Sequence, residues 1–574
     1  MSYSDVGIRR WLAPKVVRIG NTSLMATAPH MHAGFRPSSQ PKRVDVAIVG
    51  AGFAGLYMLH RARTMGLSAT VFERGAGIGG TWYWNRYPGA RCDVPSLEYS
   101  YQFDDALQQG WQWTEKYATQ PEILRYIEHV ADRFNLHRDI QLHTTVCQLR
   151  WNNDQWLVTT RNASDELSSE RVTTAQHVVL ATGCLSSANV PHFTDDQLFT
   201  GKKYHTGSWP HDGVDFGGQR VAVIGTGSSG IQSVPIIAEQ ATHLTVLQRT
   251  PAYSVPARNR QLDPKYVAEI KANYSEFRRK NSLTRAAIGG DTPTGPHGAS
   301  QVSDAERTAA LEARWQQGGL LFLGAFNDAL TNVESNALIA DFVREKIRAT
   351  VHDPITAAKL TPTSIIGCKR LCVDTDYYET FNRPNVSIID LQTEPIERFT
   401  RSGIVVGDTE HEFDSIVYAT GFDAMTGAIA KIDIIGRGGV SLRHQWSAGP
   451  VNYLGLGVHG FPNLFTITGP GSPSVLTNMI VSIQHHVEWI SDCLAWLRSK
   501  QCSTIEAKPD AQSAWVQHVN NVAAMTLYQS CSSWYLGTNV PGKPRVFMPL
   551  PGFPGYVQEC ADVAQHEYRG FAVA

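Results

Sequence analysis

Two segments of the chain carry the same order of apolar and glycine positions. In the first, an apolar run over residues 44–49 leads into the glycine-rich turn of residues 50–55 and then into apolar positions at helical spacing. In the second, residues 221–224 lead in the same way into residues 225–230 and an apolar helix face. Each segment predicts a strand, a tight turn and a helix, which is typical of a dinucleotide site. The predicted fold class is therefore α/β, with two Rossmann-like dinucleotide-binding domains.

Two further strands are predicted to end in the sequence Ala-Thr-Gly. Residues 178–180 are apolar and precede one copy, residues 181–183, while residues 416–418 precede the other, residues 419–421. Strands of this kind commonly return the chain to a nucleotide-binding domain. The simplest architecture is a discontinuous first domain, for FAD, into which a second domain, for NADPH, is inserted.

Residues 251–365 show helical patterns in place of alternating strands and helices. Asp263 is expected to cap a helix that begins at Pro264. Ser303 and Glu306 form a capping-box pattern at the start of another helix. These patterns predict a helical insertion within the second nucleotide-binding domain.

The predicted domain boundaries follow from these segments. They are an N-terminal extension (1–43), the FAD-binding domain in two parts (44–186 and 413–574, the latter with the C-terminal segment), the NADPH-binding domain in two parts (187–250 and 366–412), and the helical insertion (251–365).

The overall charge disfavours one class of function. The chain has 574 residues, with 51 lysines and arginines against 52 aspartates and glutamates and a formal net charge of -1. Such a balance supplies no general attraction to nucleic acid or to an anionic membrane, and no apolar run approaches the roughly 20 residues that span a bilayer. We expect a cytoplasmic protein, a monomer or weak oligomer, that binds neither nucleic acid nor membrane.

The nine cysteines are scattered and include no CxxC pair. Their odd number and their spacing argue against a disulfide framework and against a zinc site, so reduced thiols and no metal are expected. Residues 1–43 lack the apolar stretch of a secretory signal and are rich in basic residues. They are interpreted as a poorly ordered or surface extension, with a mitochondrial transit peptide as the alternative.

The residue that ends the second strand distinguishes the two dinucleotide sites. Glu73 has this place in the first unit, where a carboxylate can accept hydrogen bonds from an adenosine ribose, which favours FAD. Arg249 has the corresponding place in the second unit, where a guanidinium can pair with a 2′-phosphate, so NADPH is favoured over NADH. The alternative for Arg249 is an ordinary surface ion pair.

Residues 79–93 are too aromatic and glycine-rich for an ordinary connection. Trp82 is placed to lie along a planar flavin ring, and Asp93 is a candidate partner for a buried cation near it. Later in the chain, Lys369 and Arg370 bring two adjacent cations into a stretch with few other charges. A packed loop and a surface pair of cations are the structural alternatives.

Residues 199–210 match the pattern FxGxxxHxxxWP, with the fixed positions Phe199, Gly201, His205, Trp209 and Pro210. This pattern, just before the second glycine turn, resembles the fingerprint of type I Baeyer-Villiger monooxygenases, and the resemblance extends over about residues 44–556. Related flavin monooxygenases usually lack the Trp-Pro ending. The resemblance implies that His205 has a conformational role at a domain junction and is not a general base.

The resemblance also implies the reaction. NADPH reduces FAD, dioxygen adds to the flavin, and the resulting peroxyflavin attacks a ketone to give an ester or lactone. Arg370 matches the arginine beside the flavin and Asp93 its carboxylate partner, while Trp534 resembles the tryptophan that contacts retained NADP.

The turns and the resemblance together assign a set of residues to each cofactor. Expected at FAD are Gly50, Gly52, Phe53, Ala54, Gly55, Glu73, Gly80, Thr81, Trp82, Asp93, Tyr99, Val146 and Met479. Expected at NADPH are Gly225, Thr226, Gly227, Ser228, Ser229, Gly230, Gln232, Arg249, Thr250, Lys369, Arg370 and Trp534.

Three other functions use a similar framework. A flavin monooxygenase that oxidises nitrogen or sulfur is the nearest alternative. A flavoprotein disulfide reductase generally needs a redox cysteine pair, which the spacing does not show. A non-enzymatic nucleotide sensor would leave Asp93, Lys369 and Arg370 without an evident use.

Overall fold

The computed structural model describes residues 41–165, 169–543 and 549–574. Residues 1–40 of the expected N-terminal extension lie outside the described residues. The described chain from Lys42 onward forms one compact unit.

The strands within these residues run, in chain order, as follows: β1 (Lys42–Val49), β2 (Ala69–Phe72), β3 (Ile140–Gln141), β4 (Thr144–Asn152), β5 (Gln155–Asn162), β6 (Arg171–Leu180), β7 (Lys202–His205), β8 (Arg220–Ile224), β9 (His243–Gln248), β10 (Ser254–Pro256), β11 (Cys372–Asp374), β12 (Val386–Asp390), β13 (Ile396–Phe399), β14 (Gly403–Val406), β15 (Thr409–Glu412), β16 (Ser415–Tyr418), β17 (Asp433–Ile435), β18 (Leu464–Thr466), β19 (Ile505–Ala507) and β20 (Phe571–Val573).

The α-helices within the same residues are α1 (Phe53–Thr64), α2 (Thr81–Trp84), α3 (Asp105–Gly110), α4 (Gln120–Arg133), α5 (Ser228–Gln240), α6 (Pro264–Ala272), α7 (Tyr274–Ser282), α8 (Asp304–Gln317), α9 (Val333–Thr350), α10 (Pro354–Leu360), α11 (Tyr377–Thr380), α12 (Gly427–Ala430), α13 (Leu442–Gln445), α14 (Met479–Lys500), α15 (Pro509–Ala524) and α16 (Phe553–Gln565).

The larger sheet contains the first glycine turn. Its strand order within the described residues is β17-β4-β5-β6-β1-β2-β3, and β18 adds to β6. Strand β1 pairs in parallel with β2 on one side and with β6 on the other. Val46, Ala47 and Ile48 of β1 are fully buried, as expected of a central parallel strand that is covered on both faces. This sheet confirms the first half of the predicted α/β fold.

The second sheet contains the second glycine turn and, within the described residues, has the parallel order β12-β9-β8-β16-β7. We expected the chain to return to the FAD-binding domain at residue 413. The structure instead pairs β16 with β8 and β7, so this strand still belongs to the second sheet. The expected boundary is wrong by a few residues, because an apolar strand does not reveal in its sequence which sheet it joins.

The predicted helix starts in the insertion are confirmed. Asp263 accepts a hydrogen bond from the N–H of Lys265 at the start of α6, whose first residue is Pro264. Ser303 and Glu306 form the reciprocal capping box of α8. The first turns of both helices thus have their free N–H groups partly satisfied by side chains.

The expectation that the cysteines are all free thiols is wrong at two positions. Cys368 and Cys531 form a disulfide across a sequence separation of 163 residues, with their Cα atoms 6.4 Å apart. The other seven cysteines are free, and all nine lie within the described residues. Spacing in the sequence could not reveal the pair, because only the fold determines which distant cysteines approach each other.

Among the described residues, no helix combines the length and the apolar character needed to cross a membrane.

Candidate functional site

The first glycine turn joins β1 to α1 against the end of β6. Gly50 has a φ of 104°, and a Cβ atom there would lie 2.6 Å from the carbonyl oxygen of Ala181. A Cβ atom on Gly55 would lie 1.9 Å from the Gly50 carbonyl oxygen, so neither position admits a side chain. Helix α1 begins at Phe53 with no side-chain cap, and its first turn includes Ala54. Its first N–H groups are therefore available to a phosphate.

A further glycine, Gly80, and a buried carboxylate lie beside this turn. A Cβ atom on Gly80 would lie 3.0 Å from the Cα atom of Gly52, so the two backbones face each other without side chains between them. Glu73 follows β2 and accepts hydrogen bonds from the N–H groups of Ala51, at 2.8 Å, and Gly75, at 2.7 Å. Each carboxylate oxygen retains a further lone pair. These features fit the pyrophosphate and ribose of FAD.

The second glycine turn repeats this construction between β8 and α5. Gly225 has a φ of 107°, and a Cβ atom there would lie 2.6 Å from the Ala419 carbonyl oxygen. A Cβ atom on Gly230 would lie 2.2 Å from the Gly225 carbonyl oxygen, whereas one on Gly227 would meet no atom within 4 Å. Helix α5 starts with Ser228 and Ser229 and has no side-chain cap. The open space over Gly227 fits the approach of a second dinucleotide.

Two cations lie next to each other at the end of β9. Neither Arg249 nor Lys369 forms an ion pair with any acidic residue in the described part of the chain. Burial, followed by the neighbouring Arg249 charge, lowers the pKa of Lys369 below its ordinary value. Thr226 donates a hydrogen bond to the carbonyl of Thr250 at 3.0 Å, which fixes the strand end to the glycine turn. Uncompensated cations at this place fit the 2′-phosphate of NADPH.

The aromatic loop packs against the first glycine turn. The indole N–H of Trp82 donates to the Tyr99 hydroxyl at 3.3 Å, and the Tyr99 ring meets Phe53 edge to face at 5.7 Å. Trp82 is buried, while Thr81, which starts α2, is exposed. The three aromatic rings therefore contact one another through Tyr99.

Asp93 and Arg370 form a bidentate ion pair, although 277 residues separate them in the sequence. Arg370 Nε lies 2.7 Å from Asp93 Oδ2 and Nη2 lies 2.8 Å from Oδ1, while Nη1 donates to the Val475 carbonyl at 2.9 Å. The two side chains are 23% and 21% exposed. Burial alone would lower the pKa of Arg370, but the Asp93 carboxylate outweighs burial and raises it above its ordinary value.

Apolar side chains form a cluster next to this ion pair. The buried members are Cys184, Ala424, Met425, Val475, Ala523, Tyr528, Tyr535 and Leu536, and Leu185, Leu330, Leu476, Met479 and Trp534 pack against them. Burial raises the pKa of Tyr535, although the charge of Arg370 and a side-chain hydrogen bond with it act in the opposite direction. Burial likewise raises the pKa of Cys184, to about 11.

The fingerprint residues lie away from the Arg370 ion pair. His205 ends β7, and its Nδ1 accepts a hydrogen bond from Gly207 N–H at 2.9 Å while Nε2 faces the Asn189 carbonyl at 3.3 Å. Burial lowers the pKa of His205, so its ring is neutral at physiological pH. Phe199 and Trp209 are buried in the hydrophobic core on either side of the second sheet, and Pro210 follows at the surface of this core.

The glycine of the fingerprint is required by space. A Cβ atom on Gly201 would lie 2.6 Å from the Asp414 carbonyl oxygen and 2.4 Å from the Phe199 ring. The neighbouring chain therefore passes directly over this position, and a larger residue would displace it.

Three other predicted cofactor residues, Gln232, Val146 and Met479, lie on three different elements, α5, β4 and α14. Gln232 accepts a hydrogen bond from the Tyr87 hydroxyl at 2.8 Å and donates to the Arg91 carbonyl at 3.1 Å, so its amide bridges α5 and the aromatic loop. Val146 is buried in β4. Met479 begins α14, whose cap is the side chain of the preceding asparagine.

Sequence reasoning missed the partners of Arg370 other than Asp93. The Val475 carbonyl could not be found, because a backbone acceptor leaves no signal in side-chain identity. Tyr535 could have been found, because it directly follows Trp534, which matches a residue of the family. Among the described residues, no group of three or more histidine, cysteine, aspartate or glutamate side chains could hold a metal ion.

The chain is similar in sequence to several known proteins. Residues 47–288 match the family profile described as pyridine nucleotide-disulphide oxidoreductase. A protein named "Phenazine N-monooxygenase PhzNO1", from Lysobacter antibioticus, is 39% identical over 92% of this chain and 96% of its own length. One named "Baeyer-Villiger monooxygenase", from Pseudooceanicola batsensis, is 39% identical over 91% of this chain and 95% of its own length.

The chain is also similar in fold and sequence to solved structures. The structure titled "Oxidized steroid monooxygenase bound to NADP" superposes with a TM-score of 0.87 at 50% sequence identity, covering 93% of this chain and 99% of that one.

Proposed function

Because the chain belongs to the type I Baeyer-Villiger monooxygenases, we propose that the Asp93–Arg370 ion pair is the charged centre of its reaction. The enzyme depends on FAD and NADPH and inserts one oxygen atom from dioxygen next to a ketone carbonyl, which gives an ester or lactone. The observation that carries the role of the pair is its bidentate geometry beside an apolar cluster.

We propose that each cofactor is held by the turn that leads into its helix. FAD would lie along residues 50–55 and beside Gly80, with its ribose on Glu73. NADPH would lie along residues 225–230, with its 2′-phosphate between Arg249 and Lys369. When bound, the flavin takes a hydride from NADPH and delivers oxygen from dioxygen to the substrate carbonyl in nucleophilic form.

Arg370 would stabilise negative charge on the reacting oxygen atoms. A guanidinium has five N–H groups, and Asp93 and Val475 take up three of them. The Tyr535 hydroxyl also hydrogen-bonds to Arg370, so one N–H group remains for another acceptor. The side chain keeps its charge at any physiological pH. Asp93 would orient the guanidinium and so act as a positioning residue. Donors fixed in this way stabilise developing charge more effectively than mobile water does.

The apolar cluster supports two further proposals. It would exclude water from the reacting atoms, and it would accept a hydrophobic ketone. The 50% identity to the protein named a steroid monooxygenase supports a multi-ring ketone as the substrate class. A panel of one steroid ketone and one small cyclic ketone, compared by the rate of ester formation, tests this choice.

Oxidation of an aromatic nitrogen is the second candidate function. The relative named a phenazine N-monooxygenase, at 39% identity, favours it. Phenazine and a ketone offered in separate assays distinguish the two functions, because an N-monooxygenase converts phenazine to an N-oxide, whereas a Baeyer-Villiger enzyme converts the ketone to an ester.

We also propose the expected domain boundaries, with the second part of the NADPH-binding domain extended through β16. The enzyme would work in the cytoplasm, as a monomer or weak oligomer, without a nucleic-acid or membrane partner. The balanced formal charge of -1 supports the absence of such partners.

Replacing the arginine tests the charged centre. Arg370→Ala should abolish ester formation while FAD stays bound and NADPH is still consumed, because the fixed positive charge beside the reacting atoms is lost. Arg370→Lys is the matched variant: it keeps the charge without the bidentate fork, so we expect partial activity. Product analysis by gas chromatography and NADPH absorbance measure both quantities. Undiminished ester formation by Arg370→Ala contradicts the assignment.

A further inference from the structure

We propose that Cys368 and Cys531 form a redox-active site. Their disulfide would hold residues 531–543, here called the Trp534 segment, against the Arg370 centre, and a dithiol reductant would release the segment. The effect on NADP binding rests on the proposed function, because the family resemblance on which that function draws places Trp534 at the retained NADP.

The Cys368 half of the site is rigid. Cys368 is 1% exposed and lies two residues before Arg370. The preceding Gly367 packs closely, since a Cβ atom there would lie 2.6 Å from a methyl group of Leu330 and 2.8 Å from one of Leu323. The disulfide therefore ties its partner to a part of the chain that has little freedom to follow it.

Cys531 is the first residue of the Trp534 segment, which extends to the Asp93–Arg370 ion pair. Trp534 and Tyr535 lie three and four residues after Cys531, and Tyr535 is buried against Arg370. The disulfide thus fixes the segment at its first residue, immediately before the two aromatic side chains that border the centre.

Further hydrogen bonds and an ion pair hold the far end of the Trp534 segment. Asn539 donates to the Phe422 carbonyl at 2.8 Å, and Lys543 donates to the Ala424 carbonyl at 2.7 Å and pairs with Asp423. These are exchangeable hydrogen bonds and an ion pair. Without the disulfide, the start of the segment would be held by packing and by the hydrogen bond between Tyr535 and Arg370, so local opening would cost less free energy.

The two sulfur atoms differ in access. Cys531 is partly exposed, whereas Cys368 is buried. A thiolate of the dithiol would attack Cys531 Sγ, and the Cys368 Sγ–Cys531 Sγ bond would break, with Cys368 leaving as a thiolate that then takes up a proton. The second thiol of the reductant would displace Cys531 as a thiol. Two electrons and two protons pass to the protein, and the reductant ends as a disulfide.

The expected consequence is weaker retention of NADP. If the reduced segment is docked for only about a fifth of the time, the apparent dissociation constant of NADP rises about fivefold, because only the docked form binds. Disulfides in reducing compartments are usually transient and redox-sensing, which agrees with a site of this kind.

Peptide mapping tests the disulfide itself. The holoenzyme, alkylated and digested without reductant, should yield one peptide pair that joins Cys368 to Cys531, and dithiothreitol should remove it. Absence of the pair in aerobically purified enzyme would overturn the proposal.

Titration with NADP tests the release. The dissociation constant, followed by the flavin absorbance, should rise about fivefold when wild-type holoenzyme is treated with dithiothreitol. Limited proteolysis should at the same time cut within the Trp534 segment. Cys531→Ser should show the raised constant without reductant and no further change with it. Cys502→Ser, which replaces a free, partly exposed cysteine, should behave as wild type.

Unchanged NADP affinity and unchanged proteolysis after reduction would also overturn the proposal. Because wild-type enzyme is compared in both redox states, this result does not depend on the folding of the variant. Failure of the proposed function would be visible separately, as a lack of ester formation in both redox states, while NADP titration and proteolysis still report on the disulfide.

Discussion

Removal of the Asp93 charge tests how strongly the fold depends on the central ion pair. In Asp93→Asn, the amide oxygen can still accept one hydrogen bond from Arg370, but its NH2 group faces a guanidinium N–H. The two bonds of 2.7 and 2.8 Å to a carboxylate are reduced to one hydrogen bond from the charged guanidinium to a neutral amide oxygen. The guanidinium stays in place as a cation with its only acidic partner in the described residues removed.

The expected magnitude follows from the exposure of the two side chains. Breaking a fully buried pair by removing one partner costs about 3–5 kcal/mol, and an exposed pair contributes about 0–1 kcal/mol. Arg370 and Asp93 are 23% and 21% exposed, so solvent screens part of the interaction. We therefore expect Asp93→Asn to lower the free energy of unfolding by about 2–3 kcal/mol.

A second bidentate pair in the same molecule provides the control. Arg220 donates to Asp414 at 3.1 and 3.3 Å, but these side chains are 43% and 44% exposed and Arg220 also pairs with Glu412. Asp414→Asn should therefore cost less than about 1 kcal/mol. Urea unfolding of each holoenzyme, followed by tryptophan fluorescence, measures the difference. Equal losses from the two variants would refute the reasoning that burial gives the Asp93 pair its importance.

Two further predictions concern cofactor choice and pH. Arg249→Ala should raise the KM for NADPH about tenfold and leave the KM for NADH unchanged, because one charge-assisted bond to a phosphate is worth about 1.5 kcal/mol. Steady-state kinetics with both cofactors checks this prediction. Equal effects on the two KM values would contradict the role of Arg249 in binding the phosphate. Burial raises the pKa of Glu98 from 4.5 to about 7, so the folded protein keeps a proton that the unfolded chain loses, and stability falls as pH rises from about 4.5 to 7. Glu98→Gln should remove this decrease in the free energy of unfolding, which amounts to about 3 kcal/mol in all. Unfolding measured at pH 5 and at pH 8 checks it, and an unchanged pH dependence would show that another group causes it.

The nucleotide-binding parts of the fold were predictable because their chemistry is local. Gly50 and Gly225 each carry a positive φ and lie against a strand carbonyl, so the turn requires glycine and the sequence shows it. The sheet that β16 joins was not predictable. That choice depends on pairing with β8 and β7, which lie about 200 residues earlier in the chain.

The candidate site was also predictable only in part, because some of its contacts join residues that are far apart in the sequence. Neither Asp93 nor Arg370 indicates its partner across 277 residues, and the resemblance to a family supplied the pairing. The Cys368–Cys531 disulfide had no such support, since the spacing of cysteines carries no information about contacts formed by packing. The cofactor assignments, by contrast, used strand-end side chains at fixed distances from each turn.

The interrupted first sheet has a consequence for how the protein is made. Its first strand is β1, but its last strand, β18, ends at Thr466, whereas every strand of the second sheet has been synthesised by Tyr418. During synthesis on the ribosome, the first sheet therefore stays incomplete for longer than the second. Strand β6 lacks its partner β18 while the inserted domain emerges and folds. The enzyme should thus acquire its NADPH-binding domain before its FAD-binding domain, and a nascent chain stalled before β18 should bind flavin poorly.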